Sequence, residues 1–232
     1  MTKQELKWFN ALHEDRVQVT SMMLRPEFIH MFNEAIDKYS ESAHFIYELL
    51  QNADDAGASK AEVILEADKL IFKHNGNVRF TISDPSLPVE EARSKGMYGH
   101  INSITALGFS TKNKETGEGN KIGKFGVGFK AVFQYTNTPE IYDDVFKFKI
   151  EKYIIPVLLE EDHAFRQKGE TLFVFPFKEP QKAYEDIVDR IENLNNPILF
   201  LTHLREIKIT IDDVTTQTYK YSKKILCSMG RR

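Results

Sequence analysis

A glutamate, an asparagine and an aspartate spaced for one face of a helix are the first residues of this chain that could do chemistry. They lie in Glu48-Leu-Leu-Gln-Asn-Ala-Asp-Asp-Ala-Gly57. At about 100° of rotation per helical residue, Glu48, Asn52 and Asp55 share a narrow stripe. Ile46, Leu49, Leu50 and Ala53 occupy the opposite stripe. An apolar face can therefore dock on a core while the polar groups look into a common space. That polar stripe has no Lys or Arg and sets an amide carbonyl between two carboxylates. An asparagine carbonyl gives Mg2+ a hard oxygen without adding charge. A neighbouring glutamate can serve as general base for water, and an aspartate can accept from an exocyclic amine. The competing explanation is an amphipathic helix with a solvated polar face. The missing cations set this stripe apart from that pattern.

A second candidate is Ile122-Gly-Lys-Phe-Gly-Val-Gly-Phe-Lys-Ala-Val-Phe133. Gly123, Gly126 and Gly128 allow the backbone to approach a ligand closely. A helix starting there would aim its free N–H groups at an anion. Taken alone, such a cluster is equally a structural turn. Lys112, Lys114, Lys121 and Lys124 flank it and could screen phosphate charge, although for most of them a solvated loop lysine is the simpler account.

These groups need elements to position them. Apolar spacing predicts helix from about residue 26 to 56, stopped by Gly57. Residues 61–66 and 69–73 read as strands, with a turn at His74-Asn75-Gly76. A short helix is expected near 101–107, a loop over 108–123 and a buried helix over 127–135. Residues 145–150, 171–177 and 204–211 have strand character, and Ala183, Ile187, Ile191 and Leu194 mark another helix. The stretch from Asp84 to Tyr98 is long and polar, and an insertion into the loop region is its reading. This order predicts an α+β fold, a two-layer sandwich of a mixed, mostly antiparallel sheet with helices on one face. Residues 1–25 are expected to be an N-terminal extension, 26–220 the domain, and 221–232 a basic tail that starts a linker to further domains.

Composition fits this outline. The chain has 232 residues, 41% hydrophobic and 28% charged, a globular balance. Its net charge of −3 argues against strong nucleic-acid binding through phosphate neutralisation. One cysteine, Cys227, excludes an intramolecular disulfide and a cysteine metal cluster. No apolar run approaches the ~18 residues of a membrane span, and the start has no signal-peptide core. A cytoplasmic protein with no membrane partner is the expectation.

Together the two motifs resemble the GHKL ATPases, the superfamily of the 90-kilodalton heat-shock chaperones. Residues 48–57 are similar to their Glu-Leu-x-x-Asn-Ala-x-Asp-Ala box, and residues 122–133 to their Gly-x-x-Gly-x-Gly-Phe box. Gly108 to Lys112 looks like the start of their ATP lid, and Thr171 stands where the family places a threonine near adenine. His-Asn-Gly, Ser-Thr-Lys and the glycine box in this order resemble the sacsin-like proteins in particular. The resemblance spans about residues 25 to 215 and implies an ATP-binding, Mg2+-dependent ATPase module of a larger chaperone-like protein. Hydrolysis would be coupled to lid closure and to homodimerisation through parts outside this chain, and turnover in isolation would be slow.

The resemblance also implies roles. Glu48 polarises the attacking water, and Asn52 binds Mg2+ and phosphate oxygens. Asp55 and Ala56 line the nucleotide pocket. Ser110, Thr111 and Lys112 belong to the lid, and Gly123, Lys124, Phe125, Gly126, Val127, Gly128 and Phe129 cradle the phosphates. Thr171 helps bind adenine, directly or through water. One departure stands out: the family has Asp-x-Gly-x-Gly where this chain has His74-Asn75-Gly76-Asn77-Val78. His74 or Asn75 would then replace the aspartate that accepts the adenine amino group, since a neutral His or an Asn carbonyl can accept. A turn role for His74 is the alternative. Two other functions use the same features: a histidine-kinase-type phosphotransferase, for which His13 and His30 are the N-terminal histidines, and a non-catalytic nucleotide sensor.

Overall fold

The computed structural model describes residues 1–30, 45–106 and 129–221. The lid residues Ser110, Thr111 and Lys112 and the glycine-box residues Gly123 to Gly128 lie outside them, as does Cys227. The described helices are α1 (Lys3–Met23), α2 (Phe45–Asp55), α3 (Val89–Ser94), α4 (His100–Ile104) and α5 (Pro180–Glu192). Two 3-10 turns, Lys130–Gln134 and Pro197–Phe200, join them. The strands are β1 (Lys60–Glu66), β2 (Lys69–His74), β3 (Glu140–Tyr142), β4 (Lys147–Glu151), β5 (Ile155–Leu158), β6 (Thr171–Pro176), β7 (Glu206–Ile211) and β8 (Val214–Lys220).

All eight strands form one mixed sheet in the order β5-β4-β3-β6-β2-β1-β7-β8. Every pairing is antiparallel except β1 with β7. The fold is α+β, as the element order predicts. Alternation assigns the two faces. In β2 and β6, Leu70, Phe72, Phe173 and Phe175 join the main core, while Ile71, Leu172 and Val174 join a small cluster on the other side. Period-2 side-chain alternation requires this split once one face is covered by helices. Cross-strand pairs of Glu62 with Lys73 and Lys208 mark the outer face as the wetter one.

Several elements escaped the sequence reading. Helix α1 opens on a capping box in which Thr2 and Glu5 cap each other's backbone. Phe9 and Leu12 sink into the main core, Arg16 Nε donates to the Thr105 carbonyl at 2.9 Å, and His13 Nδ1 meets the Pro156 carbonyl at 2.8 Å. The 1–25 segment is thus packed on the domain. The polar stretch at Asp84 forms a turn, with Ser86 donating to Asp84, and then α3. Residues 130–134 are a 3-10 turn rather than an α-helix.

Two buried aspartates join the layers. Asp54 accepts from the backbone N–H groups of Thr202, His203 and Leu204 at 2.9, 2.6 and 2.8 Å, fastening the end of α2 to the entry of β7. Asp143 accepts from Phe80, Val145 and Phe146, holding the extended segment after β2 against the β3–β4 turn. Helix α2 itself stops in a Schellman arrangement: Ala58 N–H bonds the Ala53 carbonyl and Gly57 N–H the Asp54 carbonyl, with Gly57 at φ +73°.

Removing the Asp54 carboxylate strands three N–H groups. Asp54→Ala should lower the unfolding free energy by about 2–4 kcal/mol in urea titrations, and Asp55→Ala by less than about 0.5 kcal/mol. Burial opposes the Asp54 charge, but the three N–H groups outweigh it and hold the carboxyl below its ordinary value of 3.8. A depressed folded pKa gives stability that is fully present above pH 3.8 and is lost below it, as pH falls through the lower folded value. The acid limb of the stability curve should therefore be shallower in Asp54→Ala than in wild type.

Candidate functional site

The site is built where α2 ends against the loop after β2. Ala56 closes the helix, and its carbonyl accepts from Asn77 and Val78 N–H at 3.0 and 3.4 Å. Gly76 runs so close that a Cβ there would lie 2.9 Å from the Ala56 Cβ and carbonyl oxygen and from His74 Nδ1. Only glycine fits at that approach. Between this loop and β6 lies a shallow hollow, open to solvent. Ala56, His74, Val78, Phe80, Thr171 and Phe173 line it, together with Arg79 and His100.

His74 and Thr171 face each other across the β2–β6 register, both on the core face of the sheet and both buried. The His74 ring stacks on Phe173 with centroids 6.0 Å apart. Its Nδ1 accepts from Gly76 N–H at 3.1 Å. Burial, with the Arg79 charge adding to it, pushes its pKa down to about 3, so the ring is neutral at pH 7. With Nδ1 occupied as acceptor, the ring proton sits on Nε2, which has no partner among the described residues. The Thr171 hydroxyl is also buried and unpartnered. Thr20 and Thr210 share that state, but of the three only Thr171 lines the hollow.

Asn75 is committed elsewhere. Its carbonyl accepts from Ser59 and Lys60 N–H, both at 2.9 Å, and its amide donates to Ser59 Oγ. The expected replacement of an amine-accepting aspartate therefore does not follow from geometry: Asn75 uses both carbonyl lone pairs on the backbone, and His74 uses its only acceptor on Gly76. Among the lining residues, His100 is tied to Thr81 Oγ1 at 3.0 Å and to the backbone of Arg79. Arg79 bonds the Gly76 and Gly169 carbonyls and pairs with Asp144.

One turn before Ala56, Asn52 is buried and its amide makes no hydrogen bond among the described residues. Glu48 is half-buried on the same face and Asp55 is exposed. The adjacent aspartates thus separate: Asp54, which the sequence reading passed over, carries the structural bonds, and Asp55 faces solvent. Phe129, expected among the phosphate-cradling residues, is buried against Phe173 and Phe175. Lys130 beside it is also buried, donates to the Tyr153 carbonyl, and is brought down to about 7 by burial and by Arg16. Among the described residues, no group of three His, Cys, Asp or Glu could hold a metal, and no helix is long and apolar enough to cross a membrane.

Neutral burial of His74 has a measurable consequence. The unfolded ring takes up a proton near pH 6.5, the folded ring only near 3. Stability is present above 6.5 and lost as pH falls below it, by up to about 1.4 kcal/mol per pH unit. His74→Gln should flatten the dependence of the urea midpoint on pH between 6.5 and 4.

Comparison with known proteins gives the family of the chain. The Sacsin domain model matches residues 25–151. The chain is 32% identical over 127 residues to Protein NO VEIN of Arabidopsis thaliana, covering 52% of this chain and 4% of that protein. It is 30% identical over 128 residues to Sacsin of Homo sapiens, covering 51% of this chain and 3% of that protein. The chain thus spans a few per cent of the length of these curated relatives. The match runs from before α2 through the His74 loop to the end of β4 and leaves Thr171 beyond it. Because it takes in more than half of the sequence, this chain belongs to the Sacsin domain family.

Proposed function

We propose that this sacsin-like module binds ATP with Mg2+ through the end of α2 and the hollow beside it, and hydrolyses it slowly as part of a larger protein. The observation that carries the reading is the buried, unpartnered Thr171 hydroxyl, with buried Asn52 nearby, whose amide makes no hydrogen bond among the described residues. Leaving a buried polar group unpaired costs about 1–3 kcal/mol, so such groups mark a place where a ligand would supply the partner. The hollow is shallow, with little enclosed space of its own, and opens to solvent. Its Phe80 and Phe173 walls would give a base an apolar flank to lie against at the mouth. The triphosphate would extend toward the glycine box at 123–128, on the strength of the resemblance.

Within this reading Asn52 would offer its carbonyl to Mg2+. One neutral oxygen is a weak site alone, consistent with a cation that arrives with phosphate oxygens and neutralises their charge. Glu48, one turn earlier, would orient and deprotonate the attacking water. Chaperone-like coupling, lid closure and homodimerisation belong to the same proposal and rest on the resemblance. A phosphotransferase reading is less favoured, because His13 is held by the Pro156 carbonyl on a helix packed against the domain.

Calorimetric titration with Mg-ADP and Mg-ATP is the direct test. Wild type should bind both, and Asn52→Ala should bind at least about tenfold more weakly. Binding that is unaffected by Asn52→Ala would remove Asn52 from the site. Glu48→Ala should keep its affinity within about twofold while lowering hydrolysis by the full-length protein by about 10²-fold or more. Unchanged hydrolysis would leave a nucleotide sensor as the function. The isolated chain should turn over at about 1 per minute or less, against about 1–10³ per second for ordinary enzymes.

A further inference from the structure

The hollow has an unusual donor–acceptor balance. Two carbonyls beside it are spent: that of Ala56 on Asn77 and Val78, that of Gly76 on Arg79. His100 and Arg79 are tied down by Thr81, Gly169 and Asp144. Among the described lining residues no carboxylate remains. Among the described lining residues, two side-chain polar groups are left without a partner, on residues opposite each other on neighbouring strands. One is His74 Nε2–H, which can only donate because Nδ1 is held by Gly76 N–H. The other is the Thr171 hydroxyl, which can donate or accept.

We infer that His74 reads the base as a donor: Nε2–H points its proton to a ring nitrogen, adenine N1, while Thr171 Oγ1 accepts from the neighbouring exocyclic amine. This deepens the ATP-binding reading and rests on it. A carboxylate would hold adenine by its amine. Here the fixed tautomer makes the ring nitrogen the anchor, and the amine the second contact. A donor facing a donor leaves both unpaired, which a buried site penalises strongly. A base protonated at N1, such as hypoxanthine or guanine, would face His74 with N–H against N–H. His74 is then a specificity-determining residue, with Gly76 as the positioning residue that fixes its tautomer.

The test is competitive calorimetry on the intact chain with ADP, 1-deaza-ADP (N1 replaced by C–H) and inosine diphosphate, all with Mg2+. We expect 1-deaza-ADP and inosine diphosphate each to bind about tenfold or more weakly than ADP. In His74→Leu the preference for ADP over 1-deaza-ADP should disappear, and in His74→Gln, which keeps an N–H donor, it should partly return. Thr171→Val should weaken ADP but not purine riboside diphosphate, which lacks the amine. Equal affinity for ADP and 1-deaza-ADP overturns the inference and leaves ATP binding standing. Tighter binding of inosine diphosphate than of ADP also overturns it, since the two contacts would then be exchanged. No binding of any nucleotide overturns the functional reading itself. The wild-type ligand series decides among these outcomes even if a His74 variant does not fold.

Discussion

The Asp54 carboxylate, buried and ringed by three backbone N–H groups of residues 202–204, is the contact on which the rest of the site depends. It fastens the last turn of α2 to the chain entering β7, and β7 pairs in parallel with β1. A parallel pair cannot be joined by a tight turn, so its register must be fixed by contacts from elsewhere. Asp54 provides one, and Ser59 provides another by accepting from Arg205 and Glu206 N–H. Once α2 is fixed at its C-terminus, its rotation is set, and Asn52 and Ala56 are aimed together.

From that fixed point the loop after β2 is assembled by exhaustion of its hydrogen bonds. Asn75 ties it back to Ser59 and Lys60, Ala56 receives its next two N–H groups, and Arg79 clamps it to Gly169. Nearly every polar group in the neighbourhood is thereby used. What remains uncommitted among the described residues is informative for that reason: the Asn52 amide, the buried Thr171 hydroxyl and one imidazole N–H. Around them the walls are aromatic and tightly packed, with Phe173 touching Phe72, His74, Phe80, Phe129 and Phe175. Such packing preorganises polar groups, because none can swing away without opening a cavity.

The N-terminal helix ties the opposite edge of the sheet to the same core. Phe9 meets Phe146 and Phe148 on the β4 side, and Arg16 reaches the end of α4. Asp143 then secures Phe80, which walls the hollow. A short chain of contacts therefore runs from α1 through the β3–β4 turn to the candidate site, although the family match begins after α1.

Much of this was legible in the sequence. The 3.6-residue spacing of Ile46, Leu49, Leu50 and Ala53 against Glu48 and Asn52 determined the helix and its faces. The period-2 patterns of 61–66, 69–73 and 171–177 determined three central strands, and the motif order indicated a sacsin-like chain. The strands that escaped it, β3, β5 and β8, are short or edge elements whose pairing is decided by neighbours rather than by their own pattern. The β7–β8 hairpin turns on Asp212-Asp213, both at positive φ, without the glycine that usually signals such a turn. Spacing set Asp55 on the polar stripe but could not show that Asp54, nearer the apolar face, would find backbone partners, because these arrive only with the chain entering β7. The polarity of His74 was beyond the sequence as well. A histidine can donate or accept, and only the Gly76 N–H, brought to Nδ1 by the tertiary fold, settles which of the two it does.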